Sequence, residues 1–116
     1  MEIYIEDQCL GDVCANESAL VKRFGIKNGK SINRRLCALD SASSVGAVPL
    51  DPPDGLKLHK SDSHREADSR HEFVVGSIAD GLVFFRPVDE VVPTTLNPEE
   101  LIKFKRITVT KIEGGL

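Results

Sequence analysis

The sequence predicts an α+β fold in which a helical hairpin packs on one face of a small antiparallel sheet of about four to five strands. Two apolar runs, residues 73–75 and 82–85, flank a segment with two glycines and one aspartate, which is typical of a β-hairpin. The first third of the chain instead repeats apolar residues at three- and four-residue steps, as amphipathic helices do. The predicted element order is β-α-α-β-β-β-β, with the helices covering the hairpin.

The N-terminal segment begins with a strand and continues into helix. Residues 1–6 alternate between apolar and polar side chains and predict a short, half-buried strand. Asp7 can cap the following helix, because its carboxylate can accept unpaired backbone N–H groups. The apolar stripe over residues 10–24 is interrupted near residues 16–18, so either one helix or two short helices can form it. Gly25 is predicted to end this region.

A second helix is predicted from about residue 28 to residue 40. Three of its residues are expected to face inward: Ile32, Leu36 and Leu39. Arg34 and Arg35 are expected to face outward. Two consecutive amphipathic helices with a short connection form an antiparallel hairpin.

The rest of the chain alternates between strands and loops. Residues 41–55 are rich in Ser, Gly and Pro and predict a loop, and residues 55–60 predict a strand before the central hairpin. Residues 87–100 predict a long loop that ends in one helical turn, and residues 105–112 predict the last strand. Three residues of that strand are expected on one side: Ile107, Val109 and Lys111.

Length and composition indicate one domain over residues 1–116. A domain of this size can bury a core without the help of disulfide bonds or a structural metal ion. No apolar run approaches the ~18 residues needed to span a bilayer, and no hydrophobic leader region follows Met1. The three cysteines are odd in number and lack Cys-x-x-Cys spacing, which favours reduced thiols in a cytoplasm. We therefore expect a cytoplasmic protein without membrane contact.

Positive charge is concentrated in one segment. No acidic residue lies between Glu17 and Asp40, although the whole chain has a formal net charge of −3. Six cations fall in this segment: Lys22, Arg23, Lys27, Lys30, Arg34 and Arg35. A basic patch on an acidic body is a candidate contact for RNA or for an acidic partner. An ordinary solvated helix face is the alternative.

The histidines form a second candidate cluster, since all three lie within residues 59–71 among several carboxylates. His64 and His71 could act as a general acid/base pair. Arg70 or Arg86 could then hold a phosphate. The alternative is a solvated polar loop without a catalytic role. The cluster could also bind a transition metal, but its spacing matches no established ligand pattern, so no metal is expected.

Two further features limit the range of possible functions. The chain has no glycine-rich phosphate loop, so no nucleotide cofactor is expected. Phe73, Phe84 and Phe85 could stack on bases, although core packing is the simpler interpretation. Alternation puts Phe84 and Phe85 on opposite faces of their strand.

Several segments spread along the chain carry a family resemblance. These are the opening MEIYIED-x-x-L-x-x-x-C-x-N-E-S-x-L-V-K-x-F-G, the helix core I-N-R-R-L-x-A-L, the strand LVFFRPV and the final I-T-V-T-K-I-E. Together with the element order, they resemble the HigB-like branch of the RelE/ParE toxin superfamily. The resemblance extends over nearly the whole chain and implies a single RelE/HigB-like domain.

The resemblance implies a bacterial toxin of a toxin–antitoxin pair that cuts mRNA in the ribosomal A site without a cofactor. The 2′-hydroxyl attacks the adjacent phosphate, which requires a base, cations and an acid. The residues expected to supply these groups are His64, Arg70, His71, Arg86 and Glu113. The six cations of the basic segment would dock ribosomal RNA. The expected partners are the ribosome, mRNA and a helix-turn-helix antitoxin, and an exposed sheet edge allows a homodimer.

The chain departs from the family pattern on the expected catalytic face. Ser69 and Leu82 stand where the family has arginines, and Glu113-Gly114-Gly115 replaces a closing Asp-Tyr-His. A catalytically inactive RelE/HigB-like protein that binds protein or RNA is therefore the alternative function. A helix-turn-helix gene beside this one would favour the toxin–antitoxin pair. A solitary gene in a mobile cassette array would favour the alternative.

Overall fold

The computed structural model describes residues 1–14, 16–48, 55–60, 71–77, 79–88, 92–93 and 95–114. Strands and helices follow one another in the order β-α-α-α-β-β-β-α-β, with a short 3₁₀ turn (Val45–Ala47) after the third helix. The elements are β1 (Glu2–Ile5), α1 (Gln8–Cys14), α2 (Glu17–Phe24), α3 (Ile26–Ser41), β2 (Lys57–Lys60), β3 (His71–Ser77), β4 (Gly81–Pro87), α4 (Pro98–Leu101) and β5 (Arg106–Glu113).

The strands form one mixed sheet in the order β1-β5-β4-β3-β2. Neighbouring strands are antiparallel except for β1 and β5, which run parallel. The predicted α+β fold is confirmed, but the prediction of a purely antiparallel sheet is wrong at this pair. Parallel strands require a long crossover connection, and here all the other elements lie between β1 and β5.

The N-termini of the first two helices are capped by side chains. The carboxylate of Asp7 accepts the backbone N–H of Cys9 at 3.0 Å, and the side-chain oxygen of Asn16 accepts the N–H of Ala19 at 2.8 Å. The stripe predicted over residues 10–24 therefore forms two short helices, one of the two alternatives left open by the sequence. Gly25 ends α2, as predicted, and its N–H donates to the carbonyl of Val21.

The helices α2 and α3 pack closely because Gly29 has no side chain. A Cβ atom at Gly29 would lie 2.5 Å from the backbone of Val21, so only glycine allows this approach. Ile32 and Leu39 of α3 are buried as predicted, and Leu36 is half-buried. No helix in the described part of the chain is long and apolar enough to cross a bilayer.

The prediction that Arg35 faces outward is wrong, because its side chain faces inward. Only 5% of Arg35 is exposed, and its Nη1 donates to the carbonyl oxygen of Asp80 at 3.2 Å. Arg35 follows Ile32 by three residues and precedes Leu39 by four, so it shares the buried side of α3 with them. It therefore ties α3 to the turn between β3 and β4.

The central hairpin supplies much of the core, as predicted. On the sheet face covered by helices, the ring of Phe73 packs against Phe85 and Phe104, with centroid distances of 5.4 and 6.0 Å. Phe84 lies on the opposite face, paired with Val74, and is also buried. The predicted strands at 55–60 and 105–112 are found as β2 and β5, and the predicted helical turn is α4.

The predicted position of Lys111 is wrong, because β5 contains a β-bulge. Phe85 pairs with Val109 and Phe84 pairs with Lys111, so Thr110 is an extra residue in the ladder. An extra residue reverses the alternation beyond it. Lys111 therefore lies on the opposite sheet face from Val109.

Candidate functional site

The first candidate surface is a basic stripe on α3, formed by Lys27, Lys30 and Arg34. Steps of three and four residues put these side chains on one side of the helix. All three are exposed, and the side chain of Lys27 is 75% exposed. The buried residues Gly29 and Ile32 mark the other side of α3. The stripe therefore points away from the core and toward solvent.

Two more exposed cations flank the stripe across the Gly25 connection. Lys22 and Arg23 lie in the last turn of α2, where the helix dipole favours positive charge. Lys27 lies in the first turn of α3, which contains no acidic residue and where the dipole disfavours a cation. Its Nζ lies 3.4 Å from the carboxylate of Asp80, an exposed contact that contributes little stability.

Five of the six cations predicted to bind RNA are thus exposed, and three of them share one side of α3. Arg35 is the exception, because its guanidinium lies beneath α3 against the hairpin turn. The accumulation of positive charge on an exposed helix surface is not explained by packing. It gives the surface a local positive potential on a chain whose net charge is negative.

The second candidate surface is the sheet face opposite the helices, called the open face below. Its centre is not exposed, because Val74 and Phe84 on this face are buried. A row of side chains crosses it from β1 toward β3. Tyr4 pairs with Thr108, and Thr108 pairs with Arg86. Arg86 contacts Glu72 on the next strand. The row therefore brings together an aromatic ring, a hydroxyl, a guanidinium and a carboxylate.

Glu72 is the centre of the hydrogen-bond network in this row. Its Oε1 accepts from Nη2 of Arg86 at 2.7 Å and from Nε at 3.2 Å. The hydroxyl of Thr110 donates to the same oxygen at 3.3 Å. The side chain of Glu72 is 13% exposed and that of Arg86 is 33% exposed. The network is accessible at its arginine end.

Glu113 belongs to a separate ion pair on the open face. Its carboxylate lies 2.6 Å from Nζ of Lys111, which also sits 5.4 Å from the ring centroid of Phe84. Glu113 pairs with Leu82, four residues along β4 from Arg86. Four residues of a strand span about 13 Å. The structure therefore places Arg86 and Glu113 on one face but does not bring them together.

The other predicted catalytic residues are not located by this geometry. His64 and Arg70 lie outside the described residues. His71 is the first residue of β3 and pairs through its backbone with Lys60. Their proposed roles stay predictions.

Sequence reasoning missed three residues of the open face as site candidates: Tyr4, Glu72 and Thr110. The alternation of the first strand already put Tyr4 on the polar side. The proximity of Glu72 to Arg86 depends on the register of two strands, and that of Thr110 depends on the bulge. A single sequence directly indicates neither the register of two strands nor the position of a bulge.

The described residues contain no cluster suited to a metal ion and no disulfide-bonded cysteine. No group of three or more His, Cys, Asp or Glu side chains among them could hold a metal ion. The cysteines are free thiols, with Cys9 and Cys37 exposed and Cys14 half-buried. Burial raises the pKa of the Cys14 thiol and so disfavours its reactive thiolate form.

Comparison with known proteins gives no assignment, since no protein-family model, no curated protein and no solved structure matches this chain. The fold and its surfaces define an α+β protein with an exposed basic helix on one side and a polar, partly ion-paired sheet face on the other.

Proposed function

We propose that this chain is a RelE/HigB-like, toxin-type protein that binds RNA. The basic stripe of α3, with Lys22 and Arg23 beside it, would contact the phosphate backbone, and the open face would contact the RNA strand. The observation that carries the proposal is the stripe itself. Three cations on the solvent side of one helix match a polyanion whose charges are regularly spaced.

Two physical arguments favour a ligand over an ordinary solvated surface. Charged helix faces in proteins commonly mix signs, which gains stability from pairs spaced three or four residues apart. The exposed side of α3 instead carries only positive charge from residue 26 to residue 39. Lys27 also opposes the helix dipole, at a cost of about 0.3–1 kcal/mol. A surface that costs stability in this way is consistent with a binding role.

The test is the affinity for a labelled RNA hairpin with a single-stranded tail, measured by fluorescence anisotropy. Lys27→Gln with Lys30→Gln should weaken binding at least about fivefold at low salt. Lys103→Gln with Lys105→Gln removes the same charge from exposed positions elsewhere and should change the affinity little. Equal losses in both variants would mean that net charge matters and the stripe does not. Absence of binding by the native chain would refute the proposal.

A second candidate function is ribosome-dependent cleavage of mRNA, and one observation favours it. Glu72, Arg86 and Thr110 are in contact on the open face. A carboxylate could accept the proton of the attacking 2′-hydroxyl while a guanidinium stabilises the charge on the phosphate. The acid for the leaving oxygen would come from elsewhere, with His64 as the candidate, because the register of β3 places residue 71 on the opposite sheet face from Glu72 and Arg86. The resemblance to HigB-like toxins supports this reading, and a helix-turn-helix antitoxin would be the partner.

Induced expression in a bacterial host distinguishes the two functions. A nuclease should arrest growth and generate new mRNA ends, and Arg86→Ala should relieve the arrest while the purified variant keeps its fold. Accumulation of soluble, folded protein without growth arrest would contradict the cleavage function. The RNA-binding proposal would then depend on the affinity measurement alone.

A further inference from the structure

We propose that Tyr4 stacks on an unpaired base of single-stranded RNA at the β1 edge of the open face. This inference rests on the proposed RNA-binding function and deepens it. It assigns a base-contacting residue on a different face from the basic stripe. The ligand is an unpaired nucleotide, because a base within a duplex does not offer its ring face to a side chain.

Tyr4 is exposed in a way that core packing does not explain. The residue is 49% exposed, and its hydroxyl donates to the carboxylate of Glu2 at 3.0 Å, also at the surface. Its strand neighbours Ile3 and Ile5 provide the contacts of β1 with the core. In the described part of the chain, three large hydrophobic residues are exposed: Tyr4, Ile26 and Ile102. Tyr4 is the aromatic residue among them. An exposed aromatic ring on a sheet is a platform on which bases stack.

The strand register places groups suited to a phosphate near this ring. Thr108 lies between Tyr4 and Arg86 on the open face. Two interstrand steps separate Tyr4 from Arg86 by about 10 Å. That distance is short enough for a base on Tyr4 and a nearby phosphate at Arg86 to belong to one short strand. The hydroxyl of Thr108 can donate to the sugar or phosphate between them.

The charge of the open face is compatible with RNA. Among the described strand residues assigned to this face by the register, there are four cations and three carboxylates. The cations are Lys57, Arg86, Arg106 and Lys111. The carboxylates are Glu2, Glu72 and Glu113. This face is therefore slightly positive, although the chain as a whole is acidic.

The composition of the chain allows a direct test. Tyr4 is the sole tyrosine and there is no tryptophan, so tyrosine fluorescence reports on this position alone. Titration with a short oligouridylate should quench the fluorescence, with the same midpoint as the anisotropy of the same oligouridylate carrying a fluorescent label. Inorganic polyphosphate, which has no bases, should not quench it. Tyr4→Leu should weaken oligouridylate binding about fivefold or more, whereas Tyr4→Phe should retain the affinity because the ring is kept.

Three results would count against the inference in distinct ways. Oligouridylate binding without quenching, and with unchanged affinity in Tyr4→Leu, would overturn the stacking role and leave the proposed function intact. Quenching by polyphosphate as strong as that by RNA would also overturn it, since no base is needed. Failure of the native chain to bind any RNA would overturn the proposed function and the inference together. Because Tyr4 is exposed, both variants should keep the native melting temperature, which checks their fold.

Discussion

Gly76 and Arg35 meet where α3 crosses the hairpin of β3 and β4. The backbone of Gly76 has a φ of 113°, a conformation that residues with a Cβ atom rarely adopt. A Cβ atom at Gly76 would also lie 2.9 Å from Nε of Arg35 and still closer to the carbonyl oxygen of Gly81. The buried guanidinium of Arg35 therefore packs where only a glycine leaves room.

Gly76→Ala should lower the free energy of unfolding by about 2 kcal/mol or more, because strain and crowding act together. Urea denaturation measures this change. Gly11→Ala is the matched control, since its Cβ atom in α1 would meet Ile5 of β1 at 3.8 Å, an ordinary van der Waals contact. That variant should be neutral or slightly stabilising. Equal destabilisation of both variants would contradict the account of this crossing.

The burial of Arg35 also shows where reasoning from the sequence fails for single residues. Its charge predicted an outward position beside Arg34, whereas its spacing from Ile32 and Leu39 places it on the inner side. The chain tolerates this burial because the guanidinium finds an acceptor in the carbonyl of Asp80. That acceptor is 45 residues away and depends on how the hairpin docks on α3.

At the scale of elements, strands and helices were predictable because their patterns are local. The apolar runs around the Gly- and Asp-containing turn form β3 and β4, and alternation marks β1 and β5. The parallel pairing of β1 with β5 and the bulge at Thr110 depend on contacts between distant segments. The sequence pattern therefore placed Lys111 on the wrong face and did not reveal the contact between Glu72 and Arg86.

The Glu72–Arg86 pair should contribute to the stability of the sheet beyond the sum of its members. In a double-mutant cycle with Glu72→Gln and Arg86→Gln, we expect a coupling energy of about 1–3 kcal/mol, because a partly buried carboxylate accepts charged hydrogen bonds. Denaturant unfolding of the four proteins gives this value. The exposed pair Lys103–Glu100, treated in the same way, should couple by less than about 1 kcal/mol.

A coupling energy near zero would contradict the view that this pair organises the open face. Arg86 would then be free to act alone, as in the catalytic role expected from the family resemblance. A large coupling would mean that any phosphate at Arg86 binds beside a carboxylate. That arrangement suits a base and cation acting together better than an arginine that acts alone.

At the scale of the whole molecule, charge is distributed unevenly between the two sides of the fold. The exposed side of α3 is positive, the open face of the sheet is nearly balanced, and the chain has a net charge of −3. The charge segregation was visible in the sequence, and the structure adds that five of the six cations are exposed. Because the net charge repels RNA, binding must depend on local contacts that salt screens.

The central claim, that the stripe on α3 binds an RNA backbone, is tested most directly by the salt dependence of RNA affinity. The slope of log K against log salt counts the phosphates neutralised, at about 0.7–0.9 per contact. Lys27→Gln with Lys30→Gln should reduce the magnitude of the slope by about 1.4–1.8, and Lys103→Gln with Lys105→Gln should leave it unchanged. An unchanged slope in the stripe variant, or the same reduction in both, would contradict the claim.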